Sequence, residues 1–243
     1  MKALILAAGR GSRMNHLTDE VPKCLVKLKG KTLLEYQLEI IRKSEIEEIG
    51  IVTGYKKEKL KKFKLTEFYN QNWDKNNMVS SLECAEQWFE NESLIVSYSD
   101  IFYEESAIRN LKKCKDNLAI TYDPNWYEMW KKRFENPLDD AETFLIDKSK
   151  KVTEIGGKTD NISQIQGQYM GLLFISPQGW RIIKKLRKNL DLKKRDEMEM
   201  TQMLSVIAKE KSCLIRAIPY YGKWGEIDSV NDIKVFENQY PIL

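Results

Sequence analysis

The opening segment constrains the fold of this chain more than any other part of the sequence. Lys2 to Ala7 (KALILA) belongs to an apolar run that stops at Gly9 and Arg10. A run of this length without polar alternation predicts a strand buried on both faces, as in a sheet covered by helices. The strand leads directly into a loop rich in glycine and arginine. Ligands of open α/β sheets bind beyond the carboxyl ends of the strands, so this loop is the first candidate site.

The following segments alternate between helix and strand patterns. Thr32 and Glu35 have the spacing of a capping box at the start of a helix, and residues 78–89 also have a helical pattern. Ile49 to Thr53 and Leu94 to Tyr98 are further short apolar runs of the kind that form buried strands. This alternation predicts an α/β fold with a mixed, mostly parallel sheet and helices on both faces.

The pattern changes after Phe134. Two short strand-like segments, Glu142 to Ile146 and Lys151 to Ile155, flank a polar turn. They predict a small β-hairpin inserted over the sheet rather than a separate domain.

Composition narrows the classes of function. The 40 basic and 36 acidic side chains leave a net charge of only +4, too balanced to predict nucleic-acid binding. Four cysteines without a C-x-x-C pair and a single histidine argue against a zinc cluster. The opening apolar run is too short for a signal peptide or a membrane span. We therefore expect a cytoplasmic protein with no membrane insertion.

Glycine and arginine in the first loop point to phosphate binding, and three types of phosphate loop have to be separated. A dinucleotide fingerprint needs a third glycine where Met14 stands. A P-loop ending at Gly30-Lys31-Thr32 needs a glycine where Leu25 stands. Neither type fits this sequence.

The third type does fit. Leu6 to Lys23 (LAAGRGSRMNHLTDEVPK) resembles the signature of the sugar-phosphate and CTP-dependent nucleotidyltransferases. The resemblance implies a Rossmann-like fold of the nucleotide-diphospho-sugar transferase type, with Arg13 and Lys23 as catalytic residues that hold phosphates. It also implies a set of nucleotide-binding residues in the loop: Ala7, Ala8, Gly9, Arg10, Gly11 and Ser12.

Two aspartates are candidates for binding Mg²⁺, which prefers one or two carboxylates together with phosphate oxygens. Asp100 follows the buried strand LIVSY, and Asp228 is the aspartate of a late E-I-D segment. In the resembling family, aspartates at these two places share the metal ion. An aspartate can also cap a following helix, which is the alternative explanation at both positions.

The resemblance extends to the segments expected to recognise the base and the acceptor. Asn77, Ser80 and Ser81 are expected near the base, although the two serines could equally cap a helix. The run from Trp130 to Gly171 is similar to cytidylyltransferases acting on 2-aminoethylphosphonate, phosphocholine or phosphoglutamine. Residues 121–171, together with the E-I-D glutamate, supply the candidate acceptor-binding residues: Tyr122, Asp123, Trp130, Arg133, Asp139, Glu142, Glu154, Lys158, Gln168, Tyr169 and Glu226. Packed aromatics and solvated acids are the alternative explanation for any one of them.

These observations lead to one expected function and two alternatives. The expected function is CMP transfer from CTP to a small phosphonate or phosphomonoester, with Mg²⁺ as cofactor and release of pyrophosphate. A sugar-1-phosphate nucleotidyltransferase using UTP, dTTP or GTP is the enzyme alternative, and a regulatory subunit that has lost catalysis is the other. We expect a single domain, 1–243, with residues 1–120 mainly binding nucleotide and 121–243 mainly binding acceptor. A homodimer is compatible with the sequence.

Overall fold

The computed structural model describes residues 1–210 and 213–239, and these residues form the strands and helices named here. The strands, in chain order, are β1 (Lys2–Ala7), β2 (Lys27–Leu28), β3 (Lys31–Thr32), β4 (Ile49–Thr53), β5 (Thr66–Tyr69), β6 (Leu94–Tyr98), β7 (Ile101–Tyr103), β8 (Leu118–Asp123), β9 (Phe144–Ile146), β10 (Val152–Ile155), β11 (Gln168–Ile175), β12 (Ile215–Pro219) and β13 (Trp224–Glu226). The α-helices are α1 (Leu33–Lys43), α2 (Met78–Glu83), α3 (Glu86–Asn91), α4 (Glu105–Lys112), α5 (Trp126–Arg133), α6 (Pro177–Lys188), α7 (Leu192–Glu197), α8 (Met200–Glu210) and α9 (Val230–Gln239).

The centre of the molecule is a seven-stranded sheet in the order β12-β8-β11-β6-β1-β4-β5. Strand β11 runs antiparallel to both of its neighbours, β6 and β8, whereas the other pairs are parallel. The predicted mixed, mostly parallel sheet is therefore confirmed. Strand β1 lies between β6 and β4, which places the glycine-rich loop at the middle of one sheet edge.

The core has one layer on each face of this sheet, as the apolar run in β1 predicted. Ala3, Ile5 and Ala7 pack into one layer with residues of α1, α4, α5 and α9. Leu4 and Leu6 point the other way and pack with α2, α3, α6 and α8. Side chains alternate across a strand, so every residue from Ala3 to Ala7 is buried on one face or the other. Helices on both faces are thus confirmed.

Two local predictions are confirmed in detail. Thr32 accepts a hydrogen bond from the Glu35 N–H at 3.2 Å, and Glu35 accepts one from the Thr32 N–H at 2.9 Å, so α1 begins with the expected capping box. Strands β9 and β10 form the antiparallel hairpin, and Lys151 next to it bridges to Arg216 of β12. The hairpin is therefore attached to the sheet edge.

Candidate active site

The glycine-rich loop and Asp100 lie at the same edge of the sheet because β1 and β6 are parallel neighbours. Leu6 pairs with Tyr98 in their register, so the two strands end at the same level of the sheet. Buried Gln37 fixes the turn that carries Asp100: its Nε2 donates to the carbonyls of Tyr98 at 2.7 Å and Ile101 at 2.6 Å. Asp100 is followed directly by strand β7 rather than by a helix, so the helix-cap explanation for it is wrong.

Asp228 reaches the same place through the pairing of β13 with β7. Glu226 lies opposite Ile101 in this antiparallel pair, and the Ile227 N–H donates to the Asp100 carbonyl at 2.9 Å. Carboxylate oxygens of Asp100, Glu226 and Asp228 consequently lie within 4.8 Å of one another. Helix α9 begins at Val230, two residues after Asp228. The Asp228 carboxylate accepts a hydrogen bond from Lys23, far away in the sequence, which is a contact that a helix cap does not need.

Lys23 joins the two aspartates. Its Nζ donates to Asp100 Oδ2 at 2.6 Å and also to Asp228 Oδ1, and only 11% of its side chain is exposed. Burial alone would lower the pKa of Lys23, but the carboxylates of Asp100 and Asp228 outweigh burial and raise it above its ordinary value. Arg13 Nη2 lies 3.3 Å from the same Asp228 oxygen, with 69% of its side chain exposed. The two predicted catalytic cations therefore converge on one carboxylate.

Gly11 allows this arrangement. Its φ of +73° is a left-handed conformation that glycine adopts readily. A Cβ at this position would lie 2.8 Å from the Lys23 side chain, closer than any normal contact. The loop is closed by hydrogen bonds to the Gly11 carbonyl from the Met14 N–H at 3.0 Å and the Thr18 hydroxyl at 3.1 Å.

We expect Gly11→Ala to reduce turnover by about 100-fold, because the new methyl group displaces Lys23 by a fraction of an ångström or more. Gly30→Ala is the matched control: its φ is +84°, but a Cβ there has nothing within 4 Å. Both variants carry a similar backbone strain of about 1–2 kcal/mol. Steady-state kinetics beside thermal unfolding would compare them. Equal activity losses in the two variants would contradict the steric explanation.

The three carboxylates have the charge pattern of a cation site. Burial, and then the charges of Asp228 and Asp100, raise the pKa of Glu226 to about 8. Burial would also raise the pKa of Asp228, but Lys23 dominates and lowers it. Among the described residues, buried Asp100 Oδ1 has no hydrogen-bond partner. A hard divalent cation fits this all-oxygen set of carboxylates, which could hold it.

A cavity of about 240 Å³ opens beside the carboxylates. Of the predicted acceptor-binding residues, five line it: Trp130, Glu142, Gln168, Tyr169 and Glu226. Arg13, Asp228 and Asn77 line it as well, so one cavity joins the phosphate loop, the cation site and the acceptor candidates. Glu199 and Thr201, at the start of α8, also line it, although no motif in the sequence marked them.

The other predicted acceptor residues lie outside this cavity. Arg133 has no exposed side-chain surface and pairs with Asp232 instead of facing solvent. Asp123 is also buried, and its carboxylate accepts from Trp224 Nε1 at 2.9 Å and from the Asn125 N–H at 2.7 Å. Tyr122 is buried and packs on Phe144, and Asp139 is exposed. Glu154 lines a separate cavity. Lys158 is exposed, and its Nζ donates to the backbone carbonyls of Asp139 and Asp140.

The predicted base-binding residues divide in a similar way. Asn77 lines the cavity and is also the N-cap of α2, where its side chain accepts from the Met78 N–H at 2.7 Å. Ser80 and Ser81 do not cap the helix and are buried. Ser80 accepts from Arg187 Nη2 at 3.0 Å, and Ser81 accepts from Asn70 Nδ2 at 3.1 Å. Tertiary contacts hold both serines.

Comparisons with known proteins find a matching family model and several relatives. Residues 3–157 match the MobA-like NTP transferase domain. The chain is 36% identical over 251 residues to the CTP:phosphoglutamine cytidylyltransferase of Campylobacter jejuni, covering 97% of this chain and 98% of that protein. It is 34% identical over 106 residues to the choline-phosphate cytidylyltransferase of Streptococcus pneumoniae, covering 42% of this chain and 46% of that protein.

Solved structures show the same fold. The inositol-1-phosphate CTP transferase of T. maritima superposes with a TM-score of 0.77 at 16% identity, covering 100% of this chain and 97% of that one. The CTP:phosphocholine cytidylyltransferase of Streptococcus pneumoniae gives a TM-score of 0.70 at 22% identity, covering 97% of both chains. Within the part of the chain that the structure describes, no helix has the length and apolarity to cross a membrane.

Proposed function

This chain belongs to the MobA-like NTP transferase family, and from that premise we propose that it transfers CMP from CTP to a small phosphonate or phosphomonoester and releases pyrophosphate. The convergence of Lys23, Arg13, Asp100 and Asp228 carries the proposal, since Arg13 and Asp228 also line the cavity. Enzymes of this chemistry need cationic groups on the triphosphate and carboxylates that hold a divalent cation.

The residues suggest how the reaction proceeds. An acceptor phosphate or phosphonate oxygen, already ionised near neutral pH, attacks the α-phosphorus of CTP in line, so no general base is needed. A new P–O bond forms to the acceptor while the bond between the α-phosphorus and the bridging oxygen breaks, and pyrophosphate leaves with that electron pair. Arg13 and Lys23 stabilise the charge that accumulates on the phosphates. Asp100 and Asp228 would hold Mg²⁺, which neutralises phosphate charge when bound.

The cavity suggests an acceptor with a positively charged group. Three acidic side chains that act on one another, Asp140, Glu142 and Glu199, form an acidic wall of the cavity, whereas Arg13 is its only arginine or lysine among the described residues. Trp130 lines the same wall, and its Nε1 donates to Asp140 at 3.0 Å, which fixes the ring and the carboxylate together. Carboxylates grouped in a cavity attract an ammonium group. We therefore propose an acceptor with a phosphate or phosphonate at one end and an ammonium group at the other.

Pyrophosphate release across a panel of nucleotides and acceptors tests the proposed function. We expect CTP with phosphocholine, 2-aminoethylphosphonate or phosphoglutamine to exceed UTP or dTTP with glucose 1-phosphate by about 100-fold or more in kcat/KM. Preference for dTTP or UTP with the sugar phosphate would favour the sugar-1-phosphate alternative. Nucleotide binding without turnover on any acceptor would favour a regulatory subunit.

The pH dependence of acceptor binding tests the acidic wall. Burial raises the pKa of Glu142 above its ordinary value, and Glu199 and Asp140 add to the shift although Lys158 opposes it. Glu142 binds an ammonium group only when ionised, so KM for the acceptor should rise as pH falls, starting above the pH at which an ordinary glutamate is protonated. Glu142→Gln should raise KM about tenfold at neutral pH and flatten this profile. An unchanged profile in Glu142→Gln would contradict the assignment.

We further propose that residues 1–120 mainly bind the nucleotide and residues 121–243 mainly bind the acceptor, as predicted from the sequence. It is supported by the origin of the cavity: the phosphate loop and Asn77 come from residues 1–120, whereas Glu142, Gln168 and Glu199 come from residues 121–243. The homodimer and the cytoplasmic location stay predictions.

A further inference from the structure

Arg133 lies next to the carboxylate cluster without touching the cavity. None of its side-chain surface is exposed, and its Cζ lies 5.1 Å from the ring centroids of both Trp130 and Phe134. A guanidinium in such aromatic surroundings is stable only when carboxylates compensate its charge.

Three carboxylates surround the Arg133 guanidinium, and they are not equivalent. Arg133 Nε donates a hydrogen bond to Asp232 Oδ1 at 2.8 Å. Nη1 lies 3.6 Å from Glu226 Oε2 and Nη2 lies 3.8 Å from Asp228 Oδ2, and neither nitrogen has a hydrogen-bond partner among the described residues. Arg133 therefore acts on Glu226 and Asp228 through its charge and on Asp232 through a directed bond.

Asp232 connects this arginine to the backbone of the cation site. It is 2% exposed, and its second carboxylate oxygen accepts from the N–H groups of Asp228 at 2.9 Å and Ser229 at 2.7 Å. The Ser229 hydroxyl donates to the same oxygen at 3.0 Å. Both oxygens of Asp232 are thus engaged, and the Asp228 backbone is held in a single orientation.

We infer that Arg133 and Asp232 are a positioning pair for the cation site: Asp232 fixes the backbone of Asp228, and Arg133 fixes Asp232 while offsetting the charge of Glu226 and Asp228. The inference rests on the proposed function only in taking Asp100 and Asp228 as the cation ligands. A lysine at position 133 would be a point charge that cannot serve three carboxylates in fixed directions. Partners of metal ligands typically change metal affinity by 10- to 100-fold when they are substituted.

Binding of Mn²⁺ alone, as a spectroscopic substitute for Mg²⁺, tests the pair in the full chain. Titration followed by electron paramagnetic resonance should show Arg133→Lys and Asp232→Asn raising the Mn²⁺ dissociation constant by about tenfold or more. Arg187→Lys is the matched control. Its side chain is 1% exposed and donates to Glu83 at 2.8 Å, and its hydrogen bonds go to groups outside the carboxylate cluster. It should lower Tm but leave the dissociation constant within about twofold.

The outcomes separate this inference from the proposed function. The positioning inference would be overturned if Arg133→Lys folds and keeps the wild-type Mn²⁺ dissociation constant. If Arg133→Lys does not fold, a wild-type dissociation constant in Asp232→Asn would overturn it. A wild-type protein that binds no Mn²⁺ would overturn it too. With active enzyme, raising Mg²⁺ should restore most of the turnover of Arg133→Lys, and a deficit that persists at saturating Mg²⁺ would count against positioning. Absence of CMP transfer by wild-type protein would sink the proposed function and leave the Mn²⁺ comparison intact.

Discussion

Asp100→Asn is expected to reduce kcat by about 1000-fold or more while leaving the fold intact, since a loss of about 4 kcal/mol in transition-state stabilisation corresponds to that factor. The amide has the size of the carboxylate, and the Gln37 bonds that fix the turn go to backbone carbonyls rather than to the Asp100 side chain. The substitution therefore removes a charge and a cation ligand while the local backbone is kept.

Kinetics with Mg²⁺ and thermal unfolding would check this together. Asp116→Asn is the matched control, because Asp116 also pairs with two cations, Lys151 and Arg216, but lies outside the carboxylate cluster. It should keep near-wild-type turnover. Near-normal activity of Asp100→Asn in Mg²⁺ would show that the cation is held elsewhere.

Local patterns were sufficient for the elements that carry the phosphate loop. The apolar run in β1 and the Thr32–Glu35 capping box depend on neighbouring residues, so both were predicted correctly. The segment 78–89 shows the limit of such patterns. It forms two helices, separated at Cys84 and Ala85, rather than one. After this break Phe89 stacks on Trp180 with centroids 4.6 Å apart, a contact with a distant helix that no local pattern contains.

The site was predictable only in part, and for a similar reason. The family resemblance pointed to Asp100 and Asp228, but their proximity depends on the pairing of β13 with β7. The family resemblance placed Arg133 at the acceptor, but its burial follows from the packing of α5 against α9, which no local pattern contains. Glu199 was missed since an exposed glutamate before a helix looks the same in sequence whether or not a cavity lies beside it.

Lys23→Met should have two effects of opposite sign. Turnover should fall by about 1000-fold, because the buried ammonium that stabilises phosphate charge is lost. Affinity of the nucleotide-free protein for Mn²⁺ should rise by about tenfold, because Lys23 bonds to the same two aspartates that would bind the cation. Lys27→Met, at an exposed position of β2, is the control and should change neither quantity.

Stability distinguishes this role of Lys23 from a purely structural one. Removing the ammonium leaves the Asp100 and Asp228 carboxylates without their shared partner, a change that typically destabilises a protein by about 3–5 kcal/mol. A divalent cation can replace that charge, so Mg²⁺ should raise the Tm of Lys23→Met much more than the Tm of the wild-type protein. If Mg²⁺ raised both by the same amount, Lys23 and the cation would not share these carboxylates. In that case Lys23 would stabilise the fold only, and it would have no part in balancing the phosphate and cation charges of the proposed transfer.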